Sequence, residues 1–228
     1  MNSNTIIKIF RQFADAVSSP SNVVMRGESG VGKEYLAKTV HRKRTKHGQF
    51  ILYDCESTYE GQAKIVEVLE HNFSKPVGLE TRTDTIFLRR LELLKENLQR
   101  DLLANLEANF GHEQIKQLGI ICSIESQQGR IGSPELIDKY FEIDIKVPPL
   151  RERKDEIIPT SYNYIQFYNK ENNRKISGIT PETEKLLLNY NWPGNFDELY
   201  SELERAIAFT KDFESIKPSS FSQTFFQN

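Results

Sequence analysis

A chain of 228 residues can form one large domain, or a domain with a smaller appendage around its own core. Its 30 basic and 32 acidic side chains nearly cancel, for a net charge of −2, which excludes a molecule built throughout as a polyanion binder. No apolar run approaches the roughly 20 residues that span a bilayer, and the first residues lack a signal-peptide core, so a soluble, cytoplasmic chain with no membrane partner is expected.

In chain order, Ile6, Ile7, Ile9, Phe10, Phe13 and Val17 predict a first helix ending before Ser18-Ser19-Pro20-Ser21. The apolar run Val23-Val24-Met25 then leads into Gly27-Glu28-Ser29-Gly30-Val31-Gly32-Lys33, which opens a helical pattern at Glu34. A strand, a glycine loop and a helix N-terminus make a phosphate cradle. Glycines let backbone N–H groups wrap an anion, the helix dipole favours negative charge, and Lys33 supplies a cation for the outer phosphates. The basic run Arg42-Lys43-Arg44-Thr45-Lys46-His47 reads as a solvated face, with contact to an acidic partner or nucleic acid as the alternative.

Phe50-Ile51-Leu52-Tyr53 predicts a second strand ending at Asp54-Cys55-Glu56, and residues 61–71 show helical spacing. Thr85-Ile86-Phe87-Leu88 predicts a buried strand, followed by a long amphipathic helix from Leu91 to Leu106. Further strands are expected over 118–123 and 141–147. Strands alternating with helices imply an α/β domain whose parallel sheet is covered on both faces, with phosphate bound at the carboxyl ends of the strands. After Pro148-Pro149 the pattern is helical over Ile157–Asn169, Pro181–Tyr190 and Asn195–Phe209. The expected boundaries are a nucleotide-binding α/β domain over 1–149, a helical lid over 150–212 and a tail over 213–228. That tail, with Phe213, Pro218, Phe221, Phe225 and Phe226, has no periodicity and reads as a frayed terminus, its aromatics leaving docking on a partner open. Cys55 and Cys122 read as buried reduced thiols, and the four histidines show no metal-ligand spacing, so no metal site is expected.

Three segments stand in an order that resembles one family: Gly27-Glu28-Ser29-Gly30-Val31-Gly32-Lys33-Glu34, Pro148-Pro149-Leu150-Arg151-Glu152-Arg153 and Asn191-Trp192-Pro193-Gly194-Asn195. Together they resemble the AAA+ ATPase domain of the bacterial sigma-54-dependent transcription activators (enhancer-binding proteins) over about residues 1–212. Glu34 fits the resemblance, since the family carries Glu where most phosphate-loop proteins have Ser or Thr. The resemblance implies an AAA+ αβα sandwich followed by a small all-helical lid, with Gly27 to Glu34 binding ATP or ADP. It also implies, for active members, a ring that remodels promoter-bound polymerase.

Other expected features of the family are replaced. The family's Asp-Glu pair after the third strand, which holds Mg²⁺ and polarises the attacking water, is here Arg89-Arg90. Loss of a positioned base alone costs about 10²–10⁴ in rate. The two arginines read either as a solvated pair or as phosphate contacts where Mg²⁺ would sit, and the need for Mg²⁺ stays open. The arginines that reach a neighbouring subunit's nucleotide correspond to Ser133 and Lys139, and the lid arginine that senses the terminal phosphate corresponds to Asp197. Arginine fingers in comparable systems contribute about 10³–10⁵. The small-residue loop with a Phe-Thr pair that contacts the sigma factor has no counterpart between Cys55 and Thr85, and only about 16 residues follow the lid, too few for the family's helix-turn-helix.

The sequence is therefore identified as resembling a degenerate member of this family, with no catalytic residues. The expectation is a protein that binds ATP without hydrolysing it and regulates transcription or assembly through protein partners, either itself or related AAA+ subunits, without sequence-specific DNA binding. Two alternatives stay open: an interaction scaffold with a vestigial phosphate loop, and an ATPase using substitute residues such as Glu92 or those of a partner. Within the lid, Trp192 is expected to be a packing corner and Asn195 a helix cap. Arg151 and Arg153 are expected to join lid to core or to touch nucleotide.

Overall fold

The computed structural model describes residues 3–45, 47–73, 84–109, 115, 118–125 and 134–222. The chain forms two compact units. One comprises residues up to Gly27 and Gly32–Val147; the other comprises Glu28–Val31 and the chain from Pro148 onward.

In the first unit the elements are α1 (Ser3–Ser18), β1 (Val23–Gly27), α2 (Lys33–Arg44), β2 (Phe50–Asp54), α3 (Tyr59–Phe73), β3 (Thr85–Arg89), α4 (Glu96–Asn109), β4 (Ile120–Glu125), α5 (Pro134–Tyr140) and β5 (Ile143–Lys146). All five strands are parallel, in the order β2-β3-β4-β1-β5. The near-continuous apolar runs of β1, β3 and β4 suit strands buried on both faces. Alternation along the strands divides the core. Val24, Ile86, Leu88, Ile120, Cys122 and Ile124 pack with Ile65 and Val66 of α3 and Leu98 of α4. Thr85 and Phe87 point the other way, where the His41 ring on α2 hydrogen-bonds Thr85 Oγ1 at 2.9 Å and Phe50 stacks on Phe87. Cys55 and Cys122 are free and buried.

The helix expected from Leu91 begins only at Glu96. Arg90 turns into the left-handed region (φ 56°), Leu91–Leu93 make a single 3₁₀ turn, and Leu94 is extended. The buried Gln62 side chain holds this detour, donating to Cys55 O (2.8 Å) and Leu93 O (3.1 Å) and accepting from Lys95 N (3.1 Å). The amphipathic spacing survives because Leu91 and Leu94 still reach the core that Leu98 reaches from the helix. In the basic run, Arg44 is not on a solvated face: it donates to Ala16 O and Ser21 O, and desolvation lowers its pKa to about 10. Lys46 of that run lies outside the described residues.

In the second unit a 3₁₀ turn at Leu150–Glu152 precedes α6 (Lys154–Asn172), α7 (Pro181–Asn189) and α8 (Asn195–Ala208). A short parallel ladder pairs β6 (Gly178–Ile179) with β7 (Ser215–Ile216). Thr180 caps α7 by accepting from Thr183 N, with Pro181 in the first turn. The core centres on Trp192, which is 0% exposed, donates from Nε1 to Leu187 O at 2.9 Å and meets the Tyr190 ring edge-on. The tail expected to fray is, through Ser222, part of this unit. Ile216 and Phe221 enter its core, and the Ser222 hydroxyl donates to Glu202. Phe213 remains 74% exposed under the Lys175 ammonium, and Phe225 and Phe226 lie outside the described residues. Periodicity missed this segment because two-residue strands and a 3₁₀ turn leave too few repeats to register.

Candidate phosphate loop and strand-end charge cluster

The chain following β1 divides between the two units, and each part has partners within its own unit. Gly30 and Gly32 both lie in the left-handed region, with φ 72° and 92°. Gly32 is the N-cap of α2 and makes no side-chain cap bond, leaving the first-turn N–H groups to other acceptors. Lys33 begins the helix, is 8% exposed, and curls back so that Nζ donates to Gly27 O at 2.9 Å. Glu34 pairs with Lys38 at 2.6 Å.

The segment Glu28–Val31 is held by residues of its own unit. Arg151 forms a two-pronged ion pair with Glu28, at 2.9 and 2.6 Å. Asn195, 0% exposed, donates to Glu28 Oε2 (3.1 Å) and Ser29 O (2.8 Å) and accepts from Leu150 N (2.8 Å). Phe196 N donates to Gly30 O, and Arg153 donates to Val31 O while lying over the Phe196 ring. A Cβ on Gly30 would meet Gly194 O at 2.3 Å, so this glycine answers to the packing of the Pro-Gly-Asn corner as well as to its own φ. Asn195 is thus not the cap expected of it. Gly194 occupies the N-cap of α8, and Glu198 reaches back to accept from Gly194 N at 2.8 Å. Asn195 has φ 54°, a conformation Asn tolerates, and its amide is spent on three partners that the chain places far from it in sequence. Asp197 is exposed, with its carboxylate 3.1 Å from the position a Gly30 Cβ would take.

The strand ends of the other unit carry a dense charge cluster. Register pairs Asp54, the last residue of β2, with Arg89, the last residue of β3. The Arg89 guanidinium binds the Asp54 carboxylate through Nη2, while Nη1 lies 4.0 Å from Glu34. This bond holds Asp54 below the usual carboxylate range. Arg90 turns inward: Nη1 meets Glu56 at 2.5 Å, and Nε lies 3.8 Å from Glu92 and 3.6 Å from Glu125. Its backbone N–H donates to Ser123 Oγ at 3.0 Å. The Glu92 side chain is 1% exposed with both oxygens lacking a hydrogen bond, and burial raises its pKa. Neither arginine is therefore simply solvated. Asp54 and Glu56 were visible only as the acidic end of a strand, but aligning the first residues of the two strands, Phe50 and Thr85, puts Asp54 opposite Arg89. Lys139 pairs with Glu107 at 2.5 Å. Ser133 lies outside the described residues.

Comparison with known proteins gives matches at both ends of the chain. Residues 1–64 match the sigma-54 interaction domain, and residues 151–228 match the AAA+ ATPase lid domain. The regulatory protein AtoC of Escherichia coli is 31% identical over 227 residues, spanning 90% of this chain and 49% of that protein. The nitrogen fixation protein VnfA of Azotobacter vinelandii is 27% identical, spanning 92% and 44%. The chain thus spans about half the length of these relatives. Among solved structures, NtrX from Brucella abortus in complex with ATP superposes with a TM-score of 0.76 at 19% identity, covering 98% of this chain and 56% of that one. The RuvB branch-migration motor of Thermotoga maritima superposes at 0.62 and 15% identity, covering 96% and 67%. These likenesses show the AAA+ fold. Among the described residues no helix is long and apolar enough to cross a membrane.

Proposed function

From a chain that belongs to the AAA+ family of sigma-54-dependent activators, we propose a member that binds ATP or ADP on Gly27–Glu34 without hydrolysing it and acts through protein contacts. One observation carries the reading. The two positions at the end of β3, where the family resemblance expects a metal-binding acid and a water-polarising acid, hold Arg89 and Arg90, each engaged by carboxylates. A guanidinium cannot accept a proton from water at any working pH. Glu92, the nearest substitute acid in sequence, is buried beside Arg90 rather than presented to solvent, which further supports the reading. Asp197 adds a negative charge beside the loop where a phosphate-sensing cation is expected.

The loop fits a nucleotide's phosphates. Gly30 and Gly32 both take the positive φ that an anion-binding glycine loop needs, α2 starts without a side-chain cap, and Lys33 is the first residue of that helix. When bound, the nucleotide supplies a polyphosphate anion whose presence or absence switches the loop's partners. The proposed partners are other copies of this chain or related AAA+ subunits, with control of transcription or assembly as the output. The ATP and ADP complexes of NtrX support the ligand class.

The test is a paired measurement of ATP binding and phosphate release. Wild type is expected to bind without release above background, and Lys33→Ala to lose binding. Phosphate release that disappears in Lys33→Ala overturns the non-hydrolysing reading. Absence of binding in wild type supports the scaffold with a vestigial loop instead.

A further inference from the structure

The family's Mg²⁺ does not fit the strand-end cluster. Mg²⁺ demands a near-octahedral shell of oxygen ligands, usually one or two free carboxylates with water and phosphate. The end of β3 offers two guanidinium groups, and the carboxylates around it are already engaged. Asp54 is bound to Arg89, Glu56 to Arg90, and Glu34 to Lys38. Among the described residues no group of three His, Cys, Asp or Glu is arranged to hold a metal ion.

We infer that Arg89 takes the place of the divalent cation, so that this site holds a nucleotide's phosphates on a resident guanidinium and without metal. The inference rests on the nucleotide-binding reading above. Three observations set Arg89 apart from Arg90. First, its guanidinium lies 4.0 Å from Glu34, the residue after Lys33, and so stands beside the first turn of α2, where Lys33 also lies. Second, it is fixed there from the opposite side by Asp54, its register partner, so the cation is pre-positioned rather than recruited. Third, its side chain is 43% exposed, and Nη1 has Glu34 only at 4.0 Å, beyond hydrogen-bonding reach, leaving that edge of the fork open to an anion. Arg90 has none of this freedom: it is 21% exposed and shared among Glu56, Glu92 and Glu125 inside the cluster.

The charge arrangement has a consequence for ligand choice. One guanidinium carries a single positive charge where Mg²⁺ carries two, and it presents planar paired donors suited to phosphate oxygens. Free nucleotide, rather than its magnesium complex, is then the preferred ligand.

The experiment is a fluorescence titration of the full chain with a fluorescent ATP analogue, in excess Mg²⁺ and in EDTA. Wild type is expected to bind in EDTA at least as tightly as in Mg²⁺. Arg89→Gln is expected to bind about tenfold to a hundredfold more weakly in EDTA, the loss of a charge-assisted contact. Arg89→Asp, which gathers a third carboxylate beside Asp54 and Glu34, is expected to bind only when Mg²⁺ is present. Wild-type binding that weakens tenfold or more on chelation overturns the inference, as does Arg89→Gln binding like wild type in EDTA. Should Arg89→Gln fail to fold, Arg89→Lys, which keeps the charge and loses the fork, and the wild-type comparison decide the matter. Lys33→Ala separates the two levels. If wild type binds, Lys33→Ala does not, and binding needs Mg²⁺, the inference alone falls; if wild type binds under neither condition, the nucleotide reading falls with it.

Discussion

Replacing Asn195 by Ala removes a side chain that is wholly buried and satisfied by three groups. The Leu150 N–H loses its acceptor, and the Ser29 carbonyl loses a donor. Glu28 fares better, because Arg151 still holds both of its oxygens. A buried group left unpaired costs about 1–3 kcal/mol, which applies to Leu150 N, and the part-buried bond to Ser29 O is worth about 0.5–1.5 kcal/mol, so the two together cost about 1.5–4.5 kcal/mol if no water replaces the amide. Alanine also tolerates the left-handed φ of 54° less well than asparagine, adding about 1 kcal/mol. The expected total, about 2.5–5.5 kcal/mol, is a substantial share of the roughly 5–15 kcal/mol that stabilises an ordinary domain. Urea unfolding followed by fluorescence isolates the relevant unit, because Trp192 is the chain's single tryptophan and lies in that core. Far-ultraviolet dichroism in the same titration reports whether the other unit unfolds with it. Asn195→Gly relieves the backbone term and is expected to recover about 1 kcal/mol relative to Ala. A loss below about 1 kcal/mol in Asn195→Ala would refute the reasoning, since it would mean water satisfies the site as well as the amide does.

Gly30→Ala is expected to destabilise the same unit by about 2–4 kcal/mol, since the new Cβ meets the Gly194 backbone at 2.3 Å in a left-handed conformation; a tryptophan-monitored denaturation curve superposing on wild type would contradict it. Glu92→Gln is expected to raise stability at neutral pH by about 1–3 kcal/mol, because it replaces a buried carboxylate lacking hydrogen bonds with a neutral amide. The sign follows from the raised folded-state pKa of Glu92: the folded protein holds this proton more tightly than the unfolded chain. Its contribution is therefore favourable at low pH and lost as pH climbs from the ordinary carboxylate value through the folded one. Thermal melts across that range should flatten in Glu92→Gln, and an unchanged slope would count against the assignment.

The sequence by itself determined the features that local chemistry writes into short windows. Val23-Val24-Met25 followed by glycines and Lys33 reads as a strand, a tight loop and a helix start, because apolar runs, positive-φ glycines and helix-forming residues act within a few positions of each other. The motifs at Pro148–Arg153 and Asn191–Asn195 led to the same family as the matches to the AAA+ ATPase lid domain and the sigma-54 interaction domain. Local spacing could not set the start of α4, because the segment before it is held at Leu93 O and Lys95 N by Gln62, a residue of another helix.

Tertiary structure alone decided what the charged residues do. Arg89 and Arg90 follow one another in the chain, yet parallel register sends one to Asp54 and a backbone twist sends the other to Glu56, Glu92 and Glu125. Asn195 was legible as a cap because caps are local, and it proved instead to hold Ser29, 166 positions away. The physical reason is the same in each case. A turn or a helix end is decided by neighbours along the backbone, whereas an ion pair is decided by which strand lies alongside, and that is settled only when the sheet assembles.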